Sequence, residues 1–274
     1  MGTPSQDICI EFQDVVAGYK DFMILNNLNL KIKRKAITLL IGPNGAGKST
    51  CFACIAGQHI ATSGDIVWCG TSVTGWSAAR RQQRGVARTF QVAQTFEALT
   101  AIQNVQLILA NARGLSTWRE LAASDSVAAS RHLAEVGLAH LAQAEVLGLP
   151  YGAKKRLELA IALAGIAGEN QTSANTNRLL LLDEPGAGLA GPERADLMRL
   201  VKSVASRGIA VLYTEHNMDA VFGVADRVLV LIDGQLAAQG TPDDIARNEV
   251  VRSRYLGQSF DALTARSHKV ASHA

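Results

Sequence analysis

The hydrophobic pattern at the start of the chain predicts β-strands. Apolar residues there alternate with polar ones or follow one another over a few positions, and turn-forming residues separate the runs, as is typical of strands. Four strands are expected, at 9–20, 28–33, 37–42 and 66–69. The third, ITLLIG, leads directly into a glycine-rich segment, where the candidate chemistry of the chain begins.

Three strongly apolar runs predict further strands in the second half of the chain. They lie at 179–182, 209–214 and 227–232, and a stretch with a period near 3.6, 192–208, predicts a helix between the first two. Strand–helix–strand alternation indicates a parallel sheet with helices on its faces. We therefore expect an α/β fold with a mostly parallel sheet as its core.

The middle of the chain has a different pattern. Residues 76–165 are mostly helical in pattern, and their place between the glycine-rich strand and the last three strands indicates an inserted helical subdomain. Residues 168–177 are polar and aperiodic and predict a loop. Residues 258–274 are expected to form a weakly ordered C-terminal tail.

Composition excludes several functional classes. Apolar residues make up 48% of the chain, and the net charge of +3 includes no run of Lys and Arg, so no nucleic-acid partner is expected. The longest apolar run, 159–168, is too short to span a bilayer, and the N-terminus lacks the apolar segment of a signal peptide. A cytoplasmic chain is expected, in which Cys51 and Cys54 are reduced thiols on one helix face. A redox or metal role for this Cys-x-x-Cys pair is the alternative.

The segment IGPNGAGKST, residues 41–50, has the pattern of a phosphate-binding P-loop, preceded by an apolar strand and followed by a helix. Glycines let backbone N–H groups turn towards phosphates, and the positive end of the helix points at them. Lys48 is expected to reach the β- and γ-phosphates, and Ser49 to bind Mg²⁺. The residues expected around the nucleotide are Gly42, Pro43, Asn44, Gly45, Ala46, Gly47, Lys48, Ser49 and Thr50.

Two carboxylates follow the strand at 179–182. Asp183 can hold Mg²⁺ through water, and Glu184 can orient or deprotonate an attacking water. A kinase does not need such a water-directed base. Asp183 and Gly186 fit the Asp-x-x-Gly of a GTPase, but no Asn-Lys-x-Asp follows to recognise guanine. The pair therefore favours an ATPase.

A histidine, His216, follows the strand at 209–214. That strand is expected to run parallel to the one that ends at Asp183, which would place the imidazole across the site, where it can sense or polarise the γ-phosphate. A structural histidine is the alternative interpretation.

As an ordered set, these motifs resemble the ATP-binding subunits of ABC transporters over residues 8–257. The resemblance implies an ABC ATPase cassette, a P-loop NTPase fold with an N-terminal antiparallel β subdomain and a helical insert. It also implies that Tyr19 stacks on adenine, that Gln91 bridges Mg²⁺ and the membrane partner, and that Ser49, Gln91 and Asp183 hold Mg²⁺. Glu184, His216 and Gln91 are the implied catalytic residues. The signature segment, residues 149–160, would complete the ATP site of a second subunit through Pro150, Tyr151 and Gly152.

Further stretches resemble the importers of branched-chain amino acids: GVARTFQ, the run 100–105, LPYG in the signature segment, AGL after DEP, and VVRSRYLG. Importers of urea or short amides share several of these features and remain the alternative. The resemblance implies two different ATPase subunits beneath two membrane permeases, fed by a periplasmic substrate-binding protein. It places this chain on the cytoplasmic face of the membrane, with ATP and Mg²⁺ as cofactors.

Three positions depart from the family pattern. Pro150 stands where a signature serine is usual and offers neither a hydroxyl nor an N–H, while Ala153 replaces Gln and Ala190 replaces Asp or Asn. All three lie on the surface offered to the partner's nucleotide, so the chain is expected to keep a competent site of its own and to complete its partner's site weakly. The cluster 154–156, two Lys and one Arg, either restores some attraction there or forms a solvated basic face.

Two other functions are open at this point. A soluble ABC ATPase acting on ribosomes or DNA would usually have two cassettes or a coiled-coil insert, and this chain has one cassette and no heptads. A nucleotide-dependent scaffold that does not hydrolyse ATP is favoured by Pro150 and Ala190.

Overall fold

The computed structural model describes residues 7–20, 22–89, 95–112, 126–166, 177–215 and 223–256. These residues form two β-sheets and the helices that pack on them. The smaller sheet is antiparallel and has the strand order β2-β1-β4-β5. Its strands are β1 (Ile8–Tyr19), β2 (Phe22–Lys33), β4 (Ser63–Trp68) and β5 (Thr71–Ser72). This arrangement confirms the expected antiparallel β subdomain.

The larger sheet has the order β10-β9-β3-β8-β7-β6, and all its strands except the edge strand β10 run parallel. The central strands are continuous apolar runs because helices or the small sheet cover both of their faces. The strands are β3 (Ile37–Ile41), β6 (Val86–Arg88), β7 (Leu179–Asp183), β8 (Ala210–Thr214), β9 (Arg227–Ile232) and β10 (Gln235–Gly240). The expectation of a mostly parallel core is confirmed.

Helices pack on the large sheet, and four of the described α-helices lie between residues 76 and 166, which is close to the predicted insert at 76–165. Within the insert, α3, α4 and α5 pack against one another and α5 contacts β6. Among the described residues, the α-helices are α1 (Lys48–Ala56), α2 (Ala78–Gln83), α3 (Ala101–Ala112), α4 (Ser126–Glu135), α5 (Tyr151–Ile166), α6 (Gly191–Ser206), α7 (Pro242–Arg247) and α8 (Glu249–Val251).

The two faces of the large sheet belong to two hydrophobic cores. Successive side chains of a strand point to opposite faces, so Leu40 packs with Phe12 and Phe52 beneath the small sheet, whereas Leu39 packs with Leu159 on the other side. Strand β3 is therefore fixed from both faces, and the loop that follows it starts from a rigid base.

Some strands differ from the sequence prediction. Strand β2 begins at Phe22 rather than at residue 28, because β1 pairs with it along its whole length. Strand β6 lies inside the stretch expected to be mostly helical, and three residues are too few for a periodic signal. Strand β10 is a polar edge strand joined to β9 through Asp233 and Gly234, which both have positive φ, as a tight hairpin turn requires.

Two predictions lie outside the described residues: the loop at 168–177, except for Asn177, and the C-terminal tail at 258–274. Among the residues that are described, no helix combines the length and the apolar character needed to cross a membrane.

Candidate functional site

The carboxyl ends of three adjacent parallel strands bring the predicted site residues together. Strand β8 lies between β3 and β7, and Thr214 at its end is paired with Leu40 on one side and with Asp183 on the other. The P-loop leaves β3 and the turn with Asp183 and Glu184 leaves β7. In open α/β sheets, ligands bind at such strand ends, where the direction of chain progression reverses.

The P-loop has the backbone geometry of an anion cradle. Helix α1 begins at Lys48, and the preceding Gly47 has φ 98° and no side chain with which to cap the helix, so the first amides of α1 are left for a ligand. A Cβ at Gly42 would lie 2.0 Å from the carbonyl oxygen of Leu231, and one at Gly47 would lie 2.7 Å from Leu25. Glycine is therefore required at both positions, where the loop backbone rests on β9 and β2.

The amine of Lys48 is held above this cradle. Its Nζ donates to the carbonyl oxygens of Gly42, at 2.7 Å, and Pro43, at 3.0 Å. Burial lowers the pKa of Lys48, and the charges of Glu184 and Asp183 act in the opposite direction. The structure therefore brings the predicted lysine and both predicted carboxylates into one electrostatic neighbourhood.

Both carboxylate oxygens of Asp183 are engaged. Arg88 at the end of β6 forms an ion pair with Oδ2 at 3.0 Å, and the Thr214 hydroxyl donates to Oδ1 at 2.9 Å. Arg88 is itself held by Gln58, whose Oε1 accepts from Nη1 at 2.6 Å. The orientation of Asp183 is thus set from both neighbouring sides of its strand end.

The Glu184 backbone is also held by β8. Glu184 has φ 49°, which is uncommon for a residue other than glycine, and its amide donates to the Thr214 hydroxyl oxygen at 3.1 Å. Two residues on, the Gly186 amide donates to Oε1 of the buried Glu215 at 2.7 Å. Such left-handed conformations persist where surrounding contacts over-determine them, and functional turns are a frequent place for them.

The donor set fits a hard divalent cation. Ser49 is exposed at the start of α1 and offers a hydroxyl oxygen, and Asp183 offers carboxylate oxygens that can act directly or through water. Oxygen ligands in small number, completed by water and by phosphate oxygens of a substrate, are what Mg²⁺ takes in nucleotide sites. The residues present are therefore compatible with Mg²⁺.

Tyr19 ends β1 at the tip of the β1–β2 hairpin, and its side chain is 54% exposed. Its ring centroid lies 4.6 Å from that of His59, with the planes tilted by 41°. The same hairpin contacts the P-loop, since Leu25 and Ile24 of β2 bound the space beside Gly47. The hairpin that carries Tyr19 therefore borders the P-loop.

The signature segment packs on the turn that precedes α6. Pro150 is exposed directly before α5, in agreement with the expected helix start, and its carbonyl accepts from the Lys154 amide at 3.0 Å. A Cβ at Gly188 would lie 3.0 Å from the Tyr151 ring, and one at Gly152 would lie 3.2 Å from Oε1 of Glu193. Ala190 belongs to the same turn, so the departures at 150 and 190 are structural neighbours.

The basic cluster at 154–156 is engaged within the chain. Lys154 pairs with Glu97 at 2.9 Å. Lys155 is buried and pairs with the buried Glu158 at 3.3 Å. The third member, Arg156, donates to the Val136 carbonyl at 3.2 Å and lies 3.8 Å from Asp196. Neither expectation for the cluster describes Lys155, because a lysine paired inside the chain is not a solvated face.

Two predicted site residues, Gln91 and His216, lie outside the described residues. Two residues of the site were missed in the sequence, Arg88 and Thr214. Thr214 could have been found from its place at the end of an apolar strand beside that of Asp183. Arg88 could not, because its strand has three residues and its partner is 95 positions away.

A cleft of about 320 Å³ opens beside Arg88, between the end of α1, the strand β6 and the helical insert. Its lining combines polar and apolar side chains, among them Gln58, Gln82, Ile108, Glu158 and Ile161. Arg88, which lines one wall of the cleft, therefore joins this wall to Asp183 through their ion pair.

Comparison with known proteins places this geometry in a family. The family model described as "ABC transporter" matches residues 25–187. The "High-affinity branched-chain amino acid transport ATP-binding protein BraF" of Pseudomonas aeruginosa is 32% identical over 262 residues, with 91% of this chain and 98% of BraF covered. The "Lipopolysaccharide export system ATP-binding protein LptB" of Haemophilus influenzae is 29% identical over 248 residues, with 90% of this chain and 97% of LptB covered.

A solved structure has the same fold. The ADP conformation of MJ1267, described as an ATP-binding cassette of an ABC transporter, superposes with a TM-score of 0.77 at 23% identity, over 92% of this chain and 99% of that one. This likeness confirms the fold class expected from the sequence.

Proposed function

We propose that this chain, which belongs to the ABC transporter family and is an ATP-hydrolysing cassette, powers the import of branched-chain amino acids. The observation that carries the hydrolytic part is the meeting of Lys48, Asp183 and Glu184 at the ends of β3 and β7. A transporter ATPase needs these three charges around one phosphate, and the fold supplies them from segments far apart in the sequence.

In the proposed mechanism, the chain binds the triphosphate of ATP, and hydrolysis follows. The amides at the start of α1 and the amine of Lys48 bind the phosphates, and Tyr19 stacks on the adenine. Base stacking on an aromatic residue contributes about 1–3 kcal/mol. Mg²⁺, held by Ser49, Asp183 and Gln91, would neutralise charge on the β- and γ-phosphate oxygens.

Glu184 is the proposed general base. Its backbone, anchored on Thr214, presents the carboxylate next to Lys48, where it can orient a water molecule and accept a proton. His216 and Gln91 are proposed to contact the γ-phosphate side of the site. Both follow strand ends, β8 and β6, that lie beside β7.

The chain is proposed to act with a second, different cassette and two permeases. Pro150, Tyr151 and Gly152 would face the nucleotide of the second cassette. We propose that a permease contacts the cleft beside Arg88. A displacement of the cleft wall would then reach Asp183 through the ion pair between Arg88 and Asp183. On this proposal, the chain lies on the cytoplasmic face of the membrane and receives substrate through a periplasmic binding protein.

The substrate rests on the similarity to BraF and on the resemblance of GVARTFQ, LPYG and VVRSRYLG to that class of importer. The similarity to LptB shows that related cassettes serve other cargoes. Import of urea or a short amide is the alternative. Uptake of labelled leucine and labelled urea into vesicles that hold the reconstituted transporter decides between them: leucine uptake dependent on ATP is expected, and urea uptake alone would contradict the proposal.

Hydrolysis is tested by Glu184→Gln in the reconstituted complex. The variant keeps the size of the side chain and removes the base, so we expect ATP binding to persist while steady-state hydrolysis falls by at least about 100-fold. Glu249→Gln, at an exposed position outside the site, serves as the control and should leave hydrolysis unchanged.

A second candidate function is a nucleotide-dependent scaffold that does not hydrolyse ATP. Pro150 and Ala190 favour it, because both weaken the surface offered to a partner's nucleotide. Equal hydrolysis by the wild-type complex and the Glu184→Gln complex would support the scaffold and overturn the hydrolytic mechanism.

A further inference from the structure

Two cysteines outside the nucleotide site are neighbours at one end of the two central strands of the small sheet. Cys9 belongs to β1 and Cys69 follows β4, and the pairing of Ile10 with Trp68 places them opposite each other across the antiparallel strands. The Cys69 amide donates to the Cys9 carbonyl at 2.9 Å, and the Cys69 thiol donates to the same oxygen at 3.5 Å. Opposed residues of antiparallel strands have Cα atoms about 4.5–5.5 Å apart, within the usual span of a disulfide.

The two thiols have different environments. Cys69 is half-buried and open to a small oxidant, whereas Cys9 is 1% exposed. A hydrogen bond from Cys9 and the nearby guanidinium of Arg34 lower the pKa of Cys69, although its partial burial acts in the opposite direction. The hydrogen bond to Cys69 and burial raise the pKa of Cys9. The Cys69 thiol therefore loses its proton more readily than the Cys9 thiol.

The other two cysteines provide an internal comparison. Cys51 and Cys54 are both fully buried on α1. Burial raises the pKa of Cys54 to about 11 and that of Cys51 further. Because the thiolate is the reactive form, these two cysteines should resist oxidants that reach Cys69.

We propose that Cys69 and Cys9 form a hydroperoxide-reactive dithiol that closes to a disulfide. The Cys69 thiolate attacks an oxygen of hydrogen peroxide and the O–O bond breaks, leaving Cys69 as a sulfenic acid and releasing hydroxide. The Cys9 sulfur then attacks the Cys69 sulfur, the S–O bond breaks, and the Cys9 proton leaves with the departing oxygen as water. The two thiols lose two electrons in all, and one peroxide is reduced to one water and one hydroxide. The hydroxide becomes a second water when it takes up the proton that the Cys69 thiol released on ionisation.

The disulfide would close the chain from residue 9 to residue 69, which includes the P-loop, without touching Lys48 or Asp183. Closing a long loop restricts the unfolded chain, so the oxidised protein should unfold at a higher temperature. Nucleotide binding should not change, and a dithiol reductant should reverse the modification.

The test uses the full-length wild-type chain, first reduced and then treated with a small excess of hydrogen peroxide. Free thiols are alkylated after denaturation, and digested peptides are identified by mass spectrometry. We expect a peptide pair joined through Cys9 and Cys69 and lighter by two hydrogen atoms, together with alkylated Cys51 and Cys54. A free Cys69 after treatment, or equal oxidation of Cys51 and Cys54, would overturn the proposal.

Variants separate the two steps. Cys9→Ala removes the resolving thiol, so a sulfenic acid on Cys69 should persist and react with dimedone. Cys69→Ser should abolish dimedone labelling, and Arg34→Gln should slow labelling in the Cys9→Ala background several-fold. Dimedone labelling that Cys69→Ser leaves unchanged would contradict the assignment of Cys69 as the attacking thiol.

Discussion

At the scale of single residues, the site depends on how Asp183 is held. Its two carboxylate oxygens have partners from the strands on either side, Arg88 from β6 and Thr214 from β8. Thr214 also accepts a hydrogen bond from the Glu184 amide, so one hydroxyl contacts both the Asp183 carboxylate and the Glu184 backbone. Residues that orient the groups around a metal commonly contribute as much to activity as some of the ligands themselves.

Replacing Thr214 with valine tests this positioning. The variant keeps the shape of the side chain and removes the hydroxyl, so we expect kcat for ATP hydrolysis to fall by about 10–100-fold. The Kd for ATP without Mg²⁺ should change little, because the Thr214 hydroxyl forms its hydrogen bonds with Asp183 and with the Glu184 amide rather than with the P-loop. Both quantities are measured on the assembled complex.

Thr38→Val is the matched control, since Thr38 is equally buried on the neighbouring strand β3 and its hydroxyl has no partner among the described residues. It should leave kcat unchanged. Equal kcat values for the two variants would contradict a positioning role for Thr214.

Arg88→Gln should change the Mg²⁺ dependence of nucleotide binding. The guanidinium repels a cation that approaches Asp183, so its removal should lower the Mg²⁺ concentration needed for half-maximal binding of a fluorescent ATP analogue several-fold. Arg80→Gln, at a position where the arginine lies over Trp76 and away from Asp183, is the control. A higher Mg²⁺ requirement for Arg88→Gln would show that the arginine assists the cation rather than competing with it.

The sequence predicted the residues of the site that belong to local motifs. Lys48, Asp183 and Glu184 could be found because a glycine-rich turn and an apolar strand end define them within a few positions. Arg88 and Thr214 are defined by contacts with residues 95 and 31 positions away, which no local pattern contains.

At the scale of elements, helix α5 carries a charged pair into the interior. Lys155 and Glu158 are 4% and 6% exposed, and their side chains meet at 3.3 Å. A buried pair of this kind stabilises the fold little compared with apolar residues, but removal of one partner leaves an uncompensated buried charge. The helix that presents the signature segment therefore depends on both members.

Lys155→Met should lower the free energy of unfolding by about 3–5 kcal/mol, measured by urea denaturation. Lys154→Met, at the neighbouring and more exposed pair with Glu97, should cost less than about 1 kcal/mol. The double variant Lys155→Met with Glu158→Leu should recover most of the lost stability. Equal losses for the two single variants would contradict the assigned burial.

The elements show where hydrophobic pattern is informative and where it is not. The buried strands β3, β7 and β9 begin and end within one residue of the predicted positions, because their apolar runs reflect burial on both faces. Strands β6 and β10 were not predicted. The first is short and is fixed by its pairing with β7, and the second is a polar edge strand whose position depends on the hairpin turn with β9.

At the scale of the whole molecule, the chain would present two different surfaces to nucleotides on the proposed function. Its own site combines the P-loop, Asp183 and Glu184, while the signature surface carries Pro150 and Ala190 on packed neighbouring turns. An arrangement with one complete and one weakened surface suits a heterodimer in which the two ATP sites have different activities. The family resemblance already predicted that the departures share one surface, and the fold adds that Tyr151 lies against Gly188 in the turn that leads to Ala190.

Pro150→Ser should strengthen the site of the second cassette. A restored hydroxyl and N–H give a hydrogen bond to a charged phosphate, worth about 1.5–3 kcal/mol, so ATP turnover at that site should rise about tenfold or more. Pro150→Ala restores only the N–H and should have a smaller effect. The measurement is hydrolysis by a complex in which this chain carries Glu184→Gln, so that only the second site is active.

The claim on which the functional account depends is that ATP draws two cassettes together. The most direct measurement is sedimentation of the full-length Glu184→Gln chain with the second cassette, in Mg²⁺-ATP and in Mg²⁺-ADP. We predict a stable pair in ATP and separate chains in ADP. Separate chains in ATP, at concentrations where nucleotide is bound and with the permeases present, would contradict the account.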